Sequence, residues 1–372
     1  MKTNKHKIII MVLFILLGIT VSFAQQKVKT FNIGNNGRIE VNINYGGIKI
    51  DTWGKSEVSV KYEEDEYAGS SFRIIQNGNT LTITSGENPD EDLLLSVPSS
   101  VNLDLNTDGG DIKINGNITG KVECSTAGGD IETKDITGNV SLSTAGGEVK
   151  TGRINGDASI SSGGGELKLG IISGEAKLNT GGGNIKVSDV KKDLNIMTGG
   201  GNVYAGNVEG ALVVTTGGGN VDAKKVSSAV TVTTGGGNIS VGSSVGKAKV
   251  TSGGGNLTLK DVTGGVKCYT GSGNVYVELK PDPKISSKIK SGSGNATLYI
   301  PATAKATITA KVRDWDWWGE KDKKPITSDF PVSSENKSDD PHFLKTTYVI
   351  NGGGSEIEIE TTSGEIHIKR MK

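Results

Sequence analysis

Residues 211–228 read A-L-V-V-T-T-G-G-G-N-V-D-A-K-K-V-S-S, and the order of apolar side chains within them decides the fold. Leu212, Val214 and Thr216 share one side of a strand, because side chains alternate with a period of two. Beyond the glycines the apolar set resumes at Val221 and Ala223. Thr216 to Val221 is an odd step, so the alternation changes phase and the chain must turn. A second odd step, Ala223 to Val226, implies another corner, and a third falls where Gly138, Gly156, Gly174, Gly210, Gly246 and Gly264 recur. The stretch reads as one coil with three short faces.

The same coil returns every 18 residues, its last corner glycine falling at Gly129, Gly147, Gly165, Gly183, Gly201, Gly219, Gly237, Gly255 and Gly273. A fixed period of this length marks a solenoid. One inward column runs Val122, Val140, Ala158, Ala176, Leu194, Leu212, Val230, Ala248, Val266. Another runs Ile131, Val149, Leu167, Ile185, Val203, Val221, Ile239, Leu257, Val275. The third is Ile136, Ile154, Ile172, Val190, Val208, Val226 and Val262, with Ser244-Val245 read as a slip of one. The expected fold is all-β: a single-stranded parallel β-helix (β-solenoid) with 18-residue rungs, right-handed by expectation, with irregular β caps at both ends. The 55 glycines and few aromatics fit strand-and-corner repeats better than helices.

The corner residues have a physical role in this scheme. Gly183, Gly201, Gly219, Gly237 and Gly255 are expected at positive φ and close backbone approach. Asn184, Asn202, Asn220, Asn238 and Asn256 follow them and read as a stacked amide ladder, asparagine tolerating left-handed conformations. Thr180, Thr198, Thr216 and Thr234 are placed to satisfy backbone groups at the turn. Cys124 and Cys268 occupy one inward column eight rungs apart. That is about 38 Å at the strand spacing, too far for a disulfide, so both read as buried free thiols.

Residues 1–24 read as a secretory signal: Lys2, Lys5 and Lys7, an apolar run over 8–21, then Ser22-Phe23-Ala24 at the cleavage positions. The apolar run is too short to span a bilayer, and no second long apolar segment follows. The expected location is periplasm, outer cell surface or medium, with no membrane span after cleavage. The chain carries 41 basic and 41 acidic residues, and loss of the signal lysines leaves it slightly acidic, which gives no argument for nucleic acid. Residues 25–106 read as an N-terminal β region and cap, 107–300 as the regular solenoid, and 301–372 as a C-terminal β cap. The C-terminal cap holds a polar insertion at about 313–343 with Trp315, Trp317 and Trp318. These tryptophans read as a lid over the open core end, with a sugar- or peptide-stacking platform as the alternative.

Chemistry is sparse. The only histidines are His6, His342 and His367, and no cluster of carboxylates with Arg, Lys or His converges in the repeats. Asp111, Asp130, Glu148 and Glu166 stack in successive corners, where they read as solvated carboxylates with a cation site as the alternative. The corners lack the aspartate of calcium-binding nonapeptides, and no Lys or helix follows the glycines as a phosphate loop needs. The expectation is no enzyme activity, no cofactor and no metal.

The G-G-x-I-x-V rungs, the Val97-Pro98 lead-in and the closing I-N-G-G-G-S-E-I-E-I-E-T-T-S-G-E-I segment resemble the bacterial putative-adhesin family of Gly-rich β-strand repeats. The resemblance implies an exported β-solenoid and offers no catalytic residues. A non-enzymatic adhesin-like protein follows as the expectation, presenting a polar surface to a cell-surface glycan or protein. The alternatives are a self-assembling, bactofilin-like envelope scaffold and a polysaccharide-binding or polysaccharide-active β-helix.

Overall fold

The computed structural model describes residues 25–65, 69–70, 72–85, 91–313, 325–337 and 342–371. Within them the protein is an all-β solenoid without a helix. Each regular rung has three faces, which follow directly from the two odd steps in the apolar pattern. Five-residue strands such as Val122–Thr126, Val140–Thr144 and Leu212–Thr216 form the first face. Three-residue strands such as Ile131–Thr133 and Ile185–Val187 form the second. The third is narrower still: Ile118–Thr119, Ile136–Thr137 and Ile154–Asn155, continued by single bridges through Ile172, Val190 and Val208. Pairing is parallel and in register, so Leu212, Val214 and Thr216 lie beside Val230, Val232 and Thr234. Like stacks on like, and the narrow core fills with Val, Ile, Leu and Ala.

Cys124 and Cys268 do share one column, both buried and unbridged. Burial pushes the Cys268 thiol up to about 12 and the Cys124 thiol higher, so neither is a reactive thiolate.

Two expectations need correction. Ser244-Val245 is not a slip: Ser244 pairs with Val226 and Val262 and sits in the core, while Val245 is exposed. Register is held by the flanking ladders of Ile239–Ser252, so the buried Ser244 hydroxyl is left with no hydrogen-bond partner. Positive φ is also absent from the expected corners. It occurs instead at the third corner, at Gly120, Gly138, Gly246 and Gly264. The asparagines that follow the triplets are not left-handed either.

Both ends depart from sequential stacking. At the N-terminal end, Gly37–Ile43 lies between Thr80–Ser85 and Val101–Thr107 on the first face. Ile48–Trp53 likewise lies between Leu93–Pro98 and Ile112–Ile114 on the second. The first rung in the chain is therefore second in space. The C-terminal end repeats the device. Ser355–Thr361 sits between Ser287–Ser291 and Ala306–Arg313, and Ile366–Arg370 between Ala296–Ile300 and Ile326–Ser328.

Antiparallel strands then cover the exposed ladders. Gln25–Asn32 pairs with Glu57–Asp65, which pairs with Leu93–Pro98, and Phe72–Asn77 covers Thr80–Ser85. Phe343–Ile350 covers Ala306–Arg313 at the other end. Buried aromatic rings occur only here among the described residues: Tyr62 edge-on to Phe72 at one end, Phe330 and Tyr348 at the other. Large rings cover a core end where, among the described residues, no further rung stacks.

Candidate functional site

The T-G-G-G-N corners prove to be self-satisfied backbone machinery. The Thr216 hydroxyl donates to the Gly201 carbonyl at 2.9 Å and accepts the Gly219 N–H at 3.2 Å. A β-carbon on Gly219 would lie 1.9 Å from the Gly201 carbonyl oxygen, and Gly183, Gly201, Gly237 and Gly255 are held at 1.9–2.0 Å by their own lower neighbours. Close stacking, not left-handed backbone, demands glycine at this position. The middle glycine is different: nothing lies within 4 Å of a β-carbon on Gly218.

Asn184, Asn202, Asn220, Asn238 and Asn256 form an exposed column in which each Oδ1 accepts the backbone N–H of the next rung, at 2.8–2.9 Å. Amide-to-amide contact is secondary, seen from Asn220 and Asn238 at 3.3 and 3.2 Å. Asp111 and Asp130 perform the same task for the rungs above them, at 2.8 and 2.7 Å. Lys168 bridges Glu148 and Glu166 at 3.1 and 3.0 Å, so the two glutamates of the acidic corner column share one lysine. Among the described residues no group of three or more His, Cys, Asp or Glu is arranged to hold a metal.

Two concave surfaces stand out. A groove of about 560 Å³ crosses the first face where Ala158 and Ala176 are smaller than Val140 and Leu194 in the same column. Asp157, Glu175, Asp193 and Lys177 line it, and Asp157 and Asp193 each spend one oxygen on a backbone N–H, at 2.9 and 2.8 Å.

The second is a cleft of about 500 Å³ created by the rearranged C-terminal end. Lys267, Lys288, Glu358 and Thr309 project from adjacent strands on the first face, with Lys311, Lys345, Glu356, Ser286 and Thr307 completing the wall. Lys288 meets Glu358 at 2.9 Å, Lys290 meets Glu360 at 2.6 Å, and Lys311 lies 3.6 Å from Glu358. Lys267 and Lys345 make no ion pair among the described residues, so the cleft offers two uncommitted ammonium groups beside hydroxyls. Burial works against the Glu358 charge, but the Lys288 hydrogen bond and the charges of Lys288, Lys311 and Lys290 hold its carboxyl below the usual range. Glu132, bonded by Lys113 and Lys150, is lowered too. A general acid needs the opposite shift.

Trp315, Trp317 and Trp318 lie outside the described residues, as do residues 1–24. The described strands on either side of that segment in sequence, Ala306–Arg313 and Ile326–Ser328, belong to the outermost C-terminal layer. The cleft lysines were not singled out from the sequence. Lys288 and Glu358 are seventy positions apart, and only the skip from Ser291 to Ser355 makes them neighbours.

One family model, Toastrack DUF4097, matches residues 36–204 and again 157–369. The chain belongs to the Toastrack DUF4097 family. The two overlapping matches together cover residues 36–369, nearly all of the solenoid. Solved structures that resemble this Toastrack chain include a putative adhesin from Bacteroides fragilis NCTC 9343. It is 13% identical, covers 66% of this chain and 97% of that one, and has a TM-score of 0.29. A putative adhesin from Parabacteroides merdae ATCC 43184 is 14% identical over 69% and 95%, at 0.29. A putative cell adhesion protein from Clostridium sporogenes ATCC 15579 is 12% identical over 94% and 100%, at 0.18. Likenesses this distant say nothing of what the present chain binds. No curated protein matches it.

Proposed function

We propose that this Toastrack chain is an exported, non-enzymatic, adhesin-like β-solenoid that attaches to anionic groups of a cell or envelope surface through its C-terminal cleft. The observation that carries this reading is the pair Lys267 and Lys345, free of ion pairs among the described residues, in an opening whose four lysines outnumber the carboxylates of Glu356 and Glu358 and whose remaining polar lining is hydroxyl. Ammonium groups without a partner gain from meeting a carboxylate, sulfate or phosphate. The downward shift of Glu358 supports binding rather than acid catalysis at the same place. The basic, apolar and small-residue order of residues 1–24 supports export.

The test is attachment of purified protein to whole cells and to immobilised polyuronate, comparing wild type with Lys267→Glu/Lys345→Glu. The expected result is at least a tenfold loss for the variant and weakening of wild-type binding as salt rises. Equal binding by both proteins would remove the cleft from the mechanism. Fractionation that leaves the protein in the cytoplasm would remove export.

A further inference from the structure

The asparagine column does more than cap backbone. With each Oδ1 of these exposed residues accepting the next rung's N–H, the Nδ2 hydrogens are the donors left over for other partners. Even Asn220 and Asn238, which turn one Nδ2 hydrogen along the ladder, keep a second. The outcome is a row of exposed amide donors at the strand spacing of about 4.8 Å, running along the solenoid axis.

Beside this row, on the second face, a column descends Tyr204, Asp222, Ser240, Thr258, Tyr276 in unbroken parallel register. The two tyrosines are four rungs apart, about 19 Å. Both rings are braced. Lys186 and Lys224 flank Tyr204 at 5.8 and 5.6 Å from its centroid. Tyr276 leans on Tyr299 at 5.2 Å and donates its hydroxyl to Glu278 at 2.5 Å. Hydroxyls of Ser240 and Thr258 lie between the rings.

This combination selects a ligand class. Donors repeated at one strand spacing require acceptors repeated at a similar spacing. Partly exposed rings at both ends, Tyr204 shared with Lys186 and Lys224 and Tyr276 beside Tyr299, offer aromatic surface to apolar faces. Acidic and basic side chains alternate nearby, Lys186, Asp222, Lys224, Lys260 and Glu278, so the strip carries little net charge to attract a polyanion. A peptide strand has no free backbone edge to join here, because the strands of this face are paired on both sides. A chain of pyranose rings meets every requirement, since each sugar advances by nearly one strand step and presents an apolar face and several oxygens.

We propose that the strip from Tyr204 to Tyr276, edged by the asparagine row, binds a linear, uncharged polysaccharide laid parallel to the solenoid axis. The proposal rests on the adhesin-like reading only in assuming that the protein is a binder; site and ligand differ from those of the cleft.

Two variants of the full chain test it. Asn220→Asp/Asn238→Asp keeps the oxygen that accepts the next backbone N–H, as Asp111 and Asp130 already do, and removes the donors. Tyr204→Ala removes one platform without touching a corner. Affinity electrophoresis in gels containing hydroxyethyl cellulose or linear mannan reads the strip, and polyuronate gels read the cleft. The expected result is retardation of wild type by a neutral glycan, weakened about tenfold or more in both variants, with melting temperature and polyuronate retardation unchanged. Wild type that migrates freely in both neutral glycans would overturn the proposal, as would variants retarded like wild type. If Lys267→Glu/Lys345→Glu abolishes cell attachment while the strip variants change nothing, the adhesin-like reading stands and this one fails.

Discussion

In the middle of the solenoid Val214 lies between Ile196 and Val232, each one repeat away, whereas at the C-terminal end Ile289 lies against Ile359, seventy positions on. At the N-terminal end Ile39 is held between Leu81 and Leu103, both later in the chain. The interior is thus assembled from near neighbours in sequence and the ends from distant ones. The difference teaches where each region's stability resides. Interior rungs depend on repeated corner geometry, and terminal rungs depend on being enclosed on both sides.

Breaking an interior corner is expected to have the largest effect. Gly219→Val should destabilise by about 4 kcal/mol or more in denaturant unfolding, because a β-carbon there meets the Gly201 carbonyl at 1.9 Å. Gly218→Ala, one residue earlier in open space, should stay within about 0.5 kcal/mol. Equal effects at the two positions would mean that backbone conformation, and not stacking, fixes the triplet.

The enclosed C-terminal rung gives the next test. Ile359→Ala should cost about 3 kcal/mol and accelerate hydrogen exchange on both sides, at Ile289 and at Ala310. Acceleration on one side alone would reduce this rung to a frayed edge. Thr216→Val deletes both corner hydrogen bonds and strands a carbonyl and an N–H, and should cost about 2 kcal/mol by thermal or denaturant melting. Ser244→Val should run the other way, raising stability by about 1 kcal/mol, since the serine hydroxyl is buried without a partner in a column of Ile and Val.

The smallest effect concerns pH. The Glu358 carboxyl is held below its ordinary value, so its contribution is complete above the usual carboxylate range and is lost as pH falls through the folded value. Glu358→Gln should therefore flatten the acid side of the stability profile by a few tenths of a kcal/mol, exposure to solvent keeping it small. An unchanged profile would mean that the Lys288 pair does not couple to folding.

The solenoid was legible because each of its determinants is local: two odd steps in the apolar pattern and a triplet of glycines define a rung, and repetition defines the rest. Thr216 was legible for the same reason. Three features were not. The intercalated ends depend on which distant segments pair, and Ile359 carries no mark distinguishing a neighbour one repeat away from one seventy residues away. At Ser244 the better apolar candidate is its neighbour Val245, and only ladder register on either side overrules that choice. The cleft escaped notice because Lys267, Lys288 and Lys345 are ordinary outward lysines until the skip to Ser355 brings Glu358 among them.

The enclosed terminal rungs also govern how the molecule is made. A chain emerging N-terminus first cannot seat its opening coil until the two that flank it have been synthesised, and it must keep a slot vacant at the far end for its closing segment. Any product cut short before residue 355 leaves that slot as an unshielded strand edge, the kind of surface that recruits other chains. Synthesis of the segment from residue 355 onward and escape from aggregation are thereby tied together.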